Sequence, residues 1–201
     1  MTEEHWLASR QPLQMLTYIR PLTNDRALRL FACAASRRVV HMLRDPRSYR
    51  AFEVAERFAD GTAEIEELNE AAAGALEVAN YMARVSATGW NAARTVALAA
   101  GEAWAAAARA AEMAADADLV PEVFGNPFRP VPAAESGWAA AGEVVRMARA
   151  MYQARSFTDA PLLADALQDA GCADAELLEH LRRPERHYRG CWVIDLILNT
   201  R

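Results

Sequence analysis

Three cysteines and four histidines are the residues of this sequence best suited to hold a metal ion. Thiolate and imidazole are preferred zinc ligands, and a structural zinc site needs four donors that converge. None of the spacing is diagnostic, because the sequence has no Cys-x2-Cys, His-Glu-x2-His or His-x3-His motif. A free cysteine is more often a small buried hydrophobic residue. We therefore predict no metal and no cofactor, with these residues as weak candidate ligands: Cys191, His187, Cys172 and His180.

Cys191 could also be a thiol nucleophile, with His187 or His180 as its base and Asp195 orienting that base. Such a nucleophile needs a lowered thiol pKa, for which the sequence offers only Arg189 nearby. On the last predicted helix Asp195 falls on the least apolar arc, which a solvated or ion-paired carboxylate explains as well as a catalytic one does. We therefore predict no catalytic residues.

A row of arginines is the clearest charged feature, and all 22 basic residues of the chain are arginine. On a helix predicted from Asn24 to about Arg44, four arginines lie opposite the apolar face, where they could bind phosphates or carboxylates: Arg26, Arg29, Arg37 and Arg44. We treat these four as candidate partner-binding residues.

Charge is distributed unevenly along the chain. Residues 20–57 carry a net charge of +5 and residues 60–118 carry −7, while the whole chain carries −5. These blocks could face each other within one fold or between two copies. The overall negative charge disfavours a polyanion, so we expect a protein partner or self-association, with nucleic acid as the less favoured partner.

Composition predicts the elements that position these residues. Apolar residues make up 53% of the chain and 45 residues are alanine, whereas valine and isoleucine together number 16. Helix formers therefore dominate and strand formers are scarce, which predicts an all-α multi-helix bundle. We predict a single helical domain over 1–201, with N-terminal helices in 1–120, a proline-rich loop at 121–132 and a C-terminal helical set in 133–201.

Capping residues and helix breakers predict the boundaries. After the helix from Asn24 we expect helices from Pro46 to near Gly61 and from a Thr62 cap to about Val85. The alanine-rich Asn91–Asp118 should be helical, so residues 63–118 should form a long antiparallel pair or one bent helix. In the C-terminal set we expect helices at about 138–155, 161–170, 174–182 and 190–199.

The sequence predicts a cytoplasmic protein. Its first ten residues include two glutamates and no apolar stretch, and its most apolar segment, 98–115, contains three charged residues. An odd number of cysteines fits a reducing compartment. We therefore expect no membrane association.

Four segments in the C-terminal part resemble an uncharacterised family of all-α bacterial proteins. They are Gly125–Val131, Leu162–Leu167, Ala170–Cys172 and His187–Asp195, and Trp6-Leu7 and Arg29–Cys33 add to the likeness near the N-terminus. The resemblance implies an all-α fold and brings no activity, substrate or cofactor. One departure is that the family has a second cysteine soon after the position of Cys33, where this chain has Ala34, Ala35 and Ser36.

These observations favour a non-enzymatic helical protein–protein interaction module. The alternative is a nucleic-acid-associated protein that uses the arginine row. A third hypothesis is a metal- or thiol-dependent enzyme built on the C-terminal cysteines and histidines.

Overall fold

The computed structural model describes residues 1–113, 116–129, 137–139, 141–184 and 186–200. Within these residues the chain forms twelve α-helices and no strand, so the all-α prediction is confirmed. The helices are α1 (Glu3–Ala8), α2 (Pro12–Ile19), α3 (Asp25–Val39), α4 (Pro46–Ala59), α5 (Ile65–Met82), α6 (Ala87–Ala99), α7 (Ala103–Met113), α8 (Leu119–Phe124), α9 (Gly142–Ala154), α10 (Ala160–Asp169), α11 (Ala175–Arg182) and α12 (Trp192–Leu198). None of these helices combines the length and the apolar character that crossing a membrane requires.

The chain divides into two compact units, Met1–Pro121 and Glu122–Arg201. The division falls at the start of the predicted proline-rich loop. The prediction of one folding domain over 1–201 stays a prediction, and each unit is described by itself below.

The first unit is built around α3, which packs against α4, α6 and α7. Leu30 and Phe31 of α3 are fully buried. Alanines fill much of the remaining interior, as at Ala93 and Ala107, and their small side chains allow helices to approach closely.

Side-chain caps begin several of these helices. The side chains of Thr2, Asn24, Asp45 and Asp174 each accept a hydrogen bond from a backbone N–H in the first turn of the following helix. Pro46 occupies the first position of α4, where its missing N–H costs nothing.

Two predicted boundaries are wrong. The helix expected to reach Arg44 ends at Val39 and tightens into a 3-10 turn, because the β-branched Val39 and Val40 are poor helix formers. Thr62 does not cap α5, whose N-cap is Glu64. The Thr62 hydroxyl instead donates to the Arg57 carbonyl at the end of α4.

The central alanine-rich region is neither one bent helix nor a single long pair. Residues 65–113 form three helices, and the predicted helix over 91–118 is interrupted between α6 and α7. Gly101 lies in that break, and the carboxylate of Glu102 accepts hydrogen bonds from the N–H groups of Trp104 and Ala105. Glu102 therefore caps a new helix.

The proline-rich loop begins later than predicted. Pro121 lies in the first turn of α8, where the helix needs no donor from it. The chain is irregular from Gly125 to Arg129, as expected, and the predicted loop residues 130–132 lie outside the described part.

The second unit has its core among α9 to α12. Leu163, Leu167, Leu177 and Ile194 are among its fully buried side chains. Trp192 is 6% exposed and belongs to this core. The four predicted C-terminal helices are present, although the first begins at Gly142 instead of near residue 138.

Candidate metal centre

Four metal-ligating side chains of the second unit converge in its interior. They form the ligand cluster of Glu122, His180, His187 and Cys191, whose potential ligand atoms all lie within 4.8 Å of one another. His180 Nε2 lies 3.2 Å from Cys191 Sγ and 3.1 Å from Glu122 Oε2. His187 Nδ1 lies 3.1 Å from the same carboxylate oxygen and 3.8 Å from Cys191 Sγ.

Three separate segments bring these side chains together. Glu122 lies in α8, and His180 lies in the last turn of α11, a helix that Asp174 caps. His187 and Cys191 flank a tight turn in which the Cys191 N–H donates to the Tyr188 carbonyl.

Gly190 allows this turn. Its φ angle is +89°, in the left-handed region that residues with a side chain resist. Cys191 is then the N-cap residue of α12. The four-residue spacing of His187 and Cys191 therefore works through a turn and not through a shared helix face.

The ligand cluster is buried and carries charge. Cys191 is fully buried, His180 is 4% exposed, and Glu122 and His187 are each 8% exposed. Burial alone would raise the pKa of Glu122, but hydrogen bonds and charges from His180 and His187 outweigh it and hold that pKa at about 2. Glu122 also accepts a hydrogen bond from the Tyr188 N–H.

The same surroundings make Cys191 a poor nucleophile. Burial first, and then the negative charge of Glu122, raise the pKa of the Cys191 thiol well above its ordinary value. Glu122 and Cys191 also approach the same nitrogen of His180, whereas a nucleophile–base–carboxylate relay uses the two opposite ring nitrogens. Donors arranged around a common point are typical of ligands to an ion.

One polar atom of the cluster has no partner among the described residues. His187 Nε2 is buried and makes no hydrogen bond. Buried polar atoms are usually satisfied, so an exception calls for a physical reason. In metal sites, the histidine ring nitrogen that does not bind the ion usually donates to a nearby acceptor or to water. No described residue supplies such an acceptor for His187 Nε2.

Trp192 forms one wall of the cluster. Its ring lies 5.4 Å from the His180 ring, and the His180 and His187 rings lie 5.1 Å apart. Gly125 lies behind the indole with a φ of +70°, and a Cβ atom there would meet the Trp192 ring at 3.3 Å. The segment after α8 therefore supports the ring that packs against His180.

Three of the four weak metal candidates from the sequence meet in this cluster, and Cys172 does not. Cys172 is buried elsewhere in the second unit, beside Asp174. Asp195 is 4% exposed and accepts a hydrogen bond from the Thr200 hydroxyl, so it is not solvated. The alternative of an ion-paired Asp195 stays a prediction.

Sequence reasoning missed Glu122. It precedes His180 by 58 residues, so no spacing rule connects the two. The usable signal was a single carboxylate within the apolar segment Leu119–Phe124, because a charge inside an apolar segment is buried only when it has partners.

In the first unit, two of the four candidate arginines pair with α4. Arg37 donates two hydrogen bonds to buried Glu56. The distance is 2.7 Å from Nε to Oε1 and 2.9 Å from Nη2 to Oε2. The Arg26 guanidinium lies 3.0 Å from Asp60. Both guanidinium groups therefore join α3 to α4.

The predicted row on a solvent-exposed face is wrong at Arg29. This residue is buried, and its Nη1 atom donates to the carbonyls of Ala99 and Gly101 at 3.3 and 2.7 Å. Arg44 lies beyond the end of α3 and is exposed. A helix face with four free guanidinium groups therefore does not exist, and the partner-binding role of these residues stays a prediction.

The opposed charge blocks meet within the first unit, one of the two arrangements that the sequence allowed. Arg47 pairs with Glu77 at 2.7 Å and Arg50 with Glu70 at 3.1 Å, and both pairs join α4 to α5. Arg57 and Glu67 form a third pair between these helices. Much of the positive block is thus neutralised by its own chain.

The chain matches no family model, no curated protein and no solved structure. The resemblance to a bacterial family stays a prediction. The geometry of the ligand cluster is therefore the observation from which a function can be argued.

Proposed function

We propose that this protein binds a transition-metal ion in its C-terminal unit, through Glu122, His180, His187 and Cys191. The observation that carries the proposal is the convergence of these four donors in a buried position, with neighbouring ligand atoms 3.1–3.8 Å apart. This proposal replaces the sequence-based expectation that the chain carries no metal.

Chemistry supports a metal more strongly than a thiol enzyme. A thiol nucleophile needs a lowered pKa and access to substrate, whereas Cys191 is fully buried and its pKa is raised. Binding a metal removes the thiol proton and needs no opening to a substrate.

The competing explanation is a metal-free hydrogen-bond network. In that case Glu122 would serve only as the buried counter-charge of His180 and His187. Such a network has no need of a thiol, and the approach of Cys191 Sγ to His180 Nε2 at 3.2 Å is the feature that favours a metal.

The interaction-module and nucleic-acid hypotheses now have less support. The first rested on opposed charge blocks and the second on a free arginine row. Internal ion pairs neutralise much of the positive block. In the arginine row, Arg29 is buried and Arg37 is paired with Glu56. Both hypotheses stay predictions.

The experiment is elemental analysis of purified protein, followed by zinc titration after removal of bound metal. Wild type should bind one ion per chain. Cys191→Ser should lose most of the affinity, while the control Cys172→Ser, another buried cysteine of the same unit, should keep it. His41→Ala serves as a control for His180→Ala, because His41 is exposed in the first unit. Failure of wild type to bind zinc at low micromolar concentration would reject the proposal.

A further inference from the structure

We infer that the bound ion is a divalent ion of the zinc type, coordinated tetrahedrally by the four protein ligands, with no position open to a substrate. This inference rests on the proposed function. It specifies a zinc-type ion and a coordination shell that small molecules cannot enter.

The spacing of the donor atoms supports tetrahedral zinc. Bonds of about 2.3 Å to sulfur and about 2.0 Å to nitrogen and oxygen place N and O about 3.3 Å apart and N and S about 3.5 Å apart at tetrahedral angles. The observed N–O distances are 3.1 Å, and the N–S distances are 3.2 and 3.8 Å. The two remaining pairs, His180 with His187 and Glu122 with Cys191, have ligand atoms within 4.8 Å of each other. Four of the six distances therefore approach those of a tetrahedral zinc site, and a bound ion would draw the donors of the other two pairs closer together.

The types of donor narrow the choice of ion. Magnesium and calcium select oxygen ligands, whereas a set of one sulfur, two nitrogens and one oxygen suits zinc and cobalt. A thiolate and a carboxylate contribute two negative charges, which balance a divalent cation in a position where an unbalanced charge is costly.

Burial indicates a closed site. Catalytic zinc is typically held by three protein ligands and keeps a position for water, whereas structural zinc is held by four. Here four donors are present and none belongs to a residue more than 8% exposed. The Trp192 ring also packs against His180, which restricts the approach of a fifth ligand from that side.

Cobalt(II) substitution tests the inference, because its visible absorption reports coordination number. Wild type titrated with cobalt should show the intense bands of a four-coordinate ion and a sulfur-to-cobalt charge-transfer band. One equivalent of zinc should remove both signals, while millimolar magnesium should leave them unchanged. Added azide should not change the spectrum, because no coordination position is open.

Glu122→Ala provides the matched open site. It should bind cobalt at least about tenfold more weakly, since loss of even an outer-shell partner costs about 10–100-fold. Its spectrum should change with azide, which would occupy the position left by the carboxylate. Glu122→Gln retains the size of the side chain. It is the variant to test if Glu122→Ala does not fold.

The outcomes separate the two proposals. If cobalt and zinc do not bind to wild type, the proposed function is wrong. If cobalt binds but gives the weak bands of a six-coordinate ion, or if azide changes the wild-type spectrum, the protein binds metal and the closed tetrahedral site is wrong.

Discussion

The indole ring of Trp192 packs at an interplanar angle of 55° against the imidazole of His180, with the ring centroids 5.4 Å apart. This contact joins the first residue of α12 to the last turn of α11. Because a Cβ atom at Gly125 would lie only 3.3 Å from the same indole, three segments of the second unit meet at one aromatic ring.

Gly125→Ala should weaken metal binding at least about tenfold, the lower end of the range for supporting residues around a metal. The new methyl group would displace the Trp192 ring and, with it, His180. Gly171→Ala is the matched control, since Gly171 also has a positive φ but open space around its Cβ position. Zinc titration of both variants measures the difference. Equal affinities would show that Trp192 does not position His180.

Zinc should stabilise the wild-type protein. An ion that binds only the folded state, at a free concentration 100 times its Kd, adds about 2.7 kcal/mol to the free energy of unfolding. For a chain of this size that corresponds to a rise in Tm of about 5–10 °C. Thermal unfolding with zinc and with a chelator measures it, and Cys191→Ser should show no such difference. A zinc effect of equal size in that variant would place the ion elsewhere.

Arg37→Met should destabilise the first unit by about 2–4 kcal/mol. Breaking an ion pair leaves the remaining buried charge without compensation, and Glu56 is 1% exposed. Arg50→Ala is the control, because its pair with Glu70 is largely exposed and should contribute at most about 1 kcal/mol. Chemical denaturation compares the two, and adding Glu56→Met to Arg37→Met should recover much of the loss. Similar effects for Arg37→Met and Arg50→Ala would contradict the role given to Glu56.

Nucleic-acid binding should be weak and sensitive to salt. Arg26, Arg29 and Arg37 are engaged within the first unit, so three of the four candidate arginines are already occupied by contacts within the protein. Titration of random duplex and single-stranded RNA should give no micromolar binding at about 150 mM salt. Tight binding under those conditions that disappears in Arg37→Glu/Arg44→Glu would restore the nucleic-acid hypothesis.

Local sequence signals predicted the helices well where a side chain acts on its own neighbours. Asn24, Asp45 and Asp174 cap helices that begin where the sequence predicted them, because a cap depends on the next three residues alone. Thr62 failed because α5 begins only at Ile65, with Glu64 as its N-cap, and the Thr62 N–H and hydroxyl both donate to the Arg57 carbonyl near the end of the preceding helix.

Positions fixed by distant contacts could not be predicted in this way. A helical wheel places Arg29 on the polar side, yet backbone carbonyls about 70 residues away in sequence hold it in the interior. The sequence identified Cys191, His187 and His180 as candidate ligands, but only the fold brings Glu122 to them. Their convergence depends on where the fold places α8 and α11 and on the turn at Gly190. None of these features produces a fixed spacing between the ligand residues in the sequence.

The long separation of Glu122 from His180 gives the proposed ion a second effect. An ion held by both side chains closes a loop of 58 residues, as a covalent cross-link would. By the chain-entropy relation for disulfides, closing a loop of that length in the unfolded chain costs about 4 kcal/mol, so the two side chains can share an ion only after folding has brought them together. A chelator can remove such a link without breaking any covalent bond. The ion would therefore be a reversible cross-link in a chain whose described cysteines are all free.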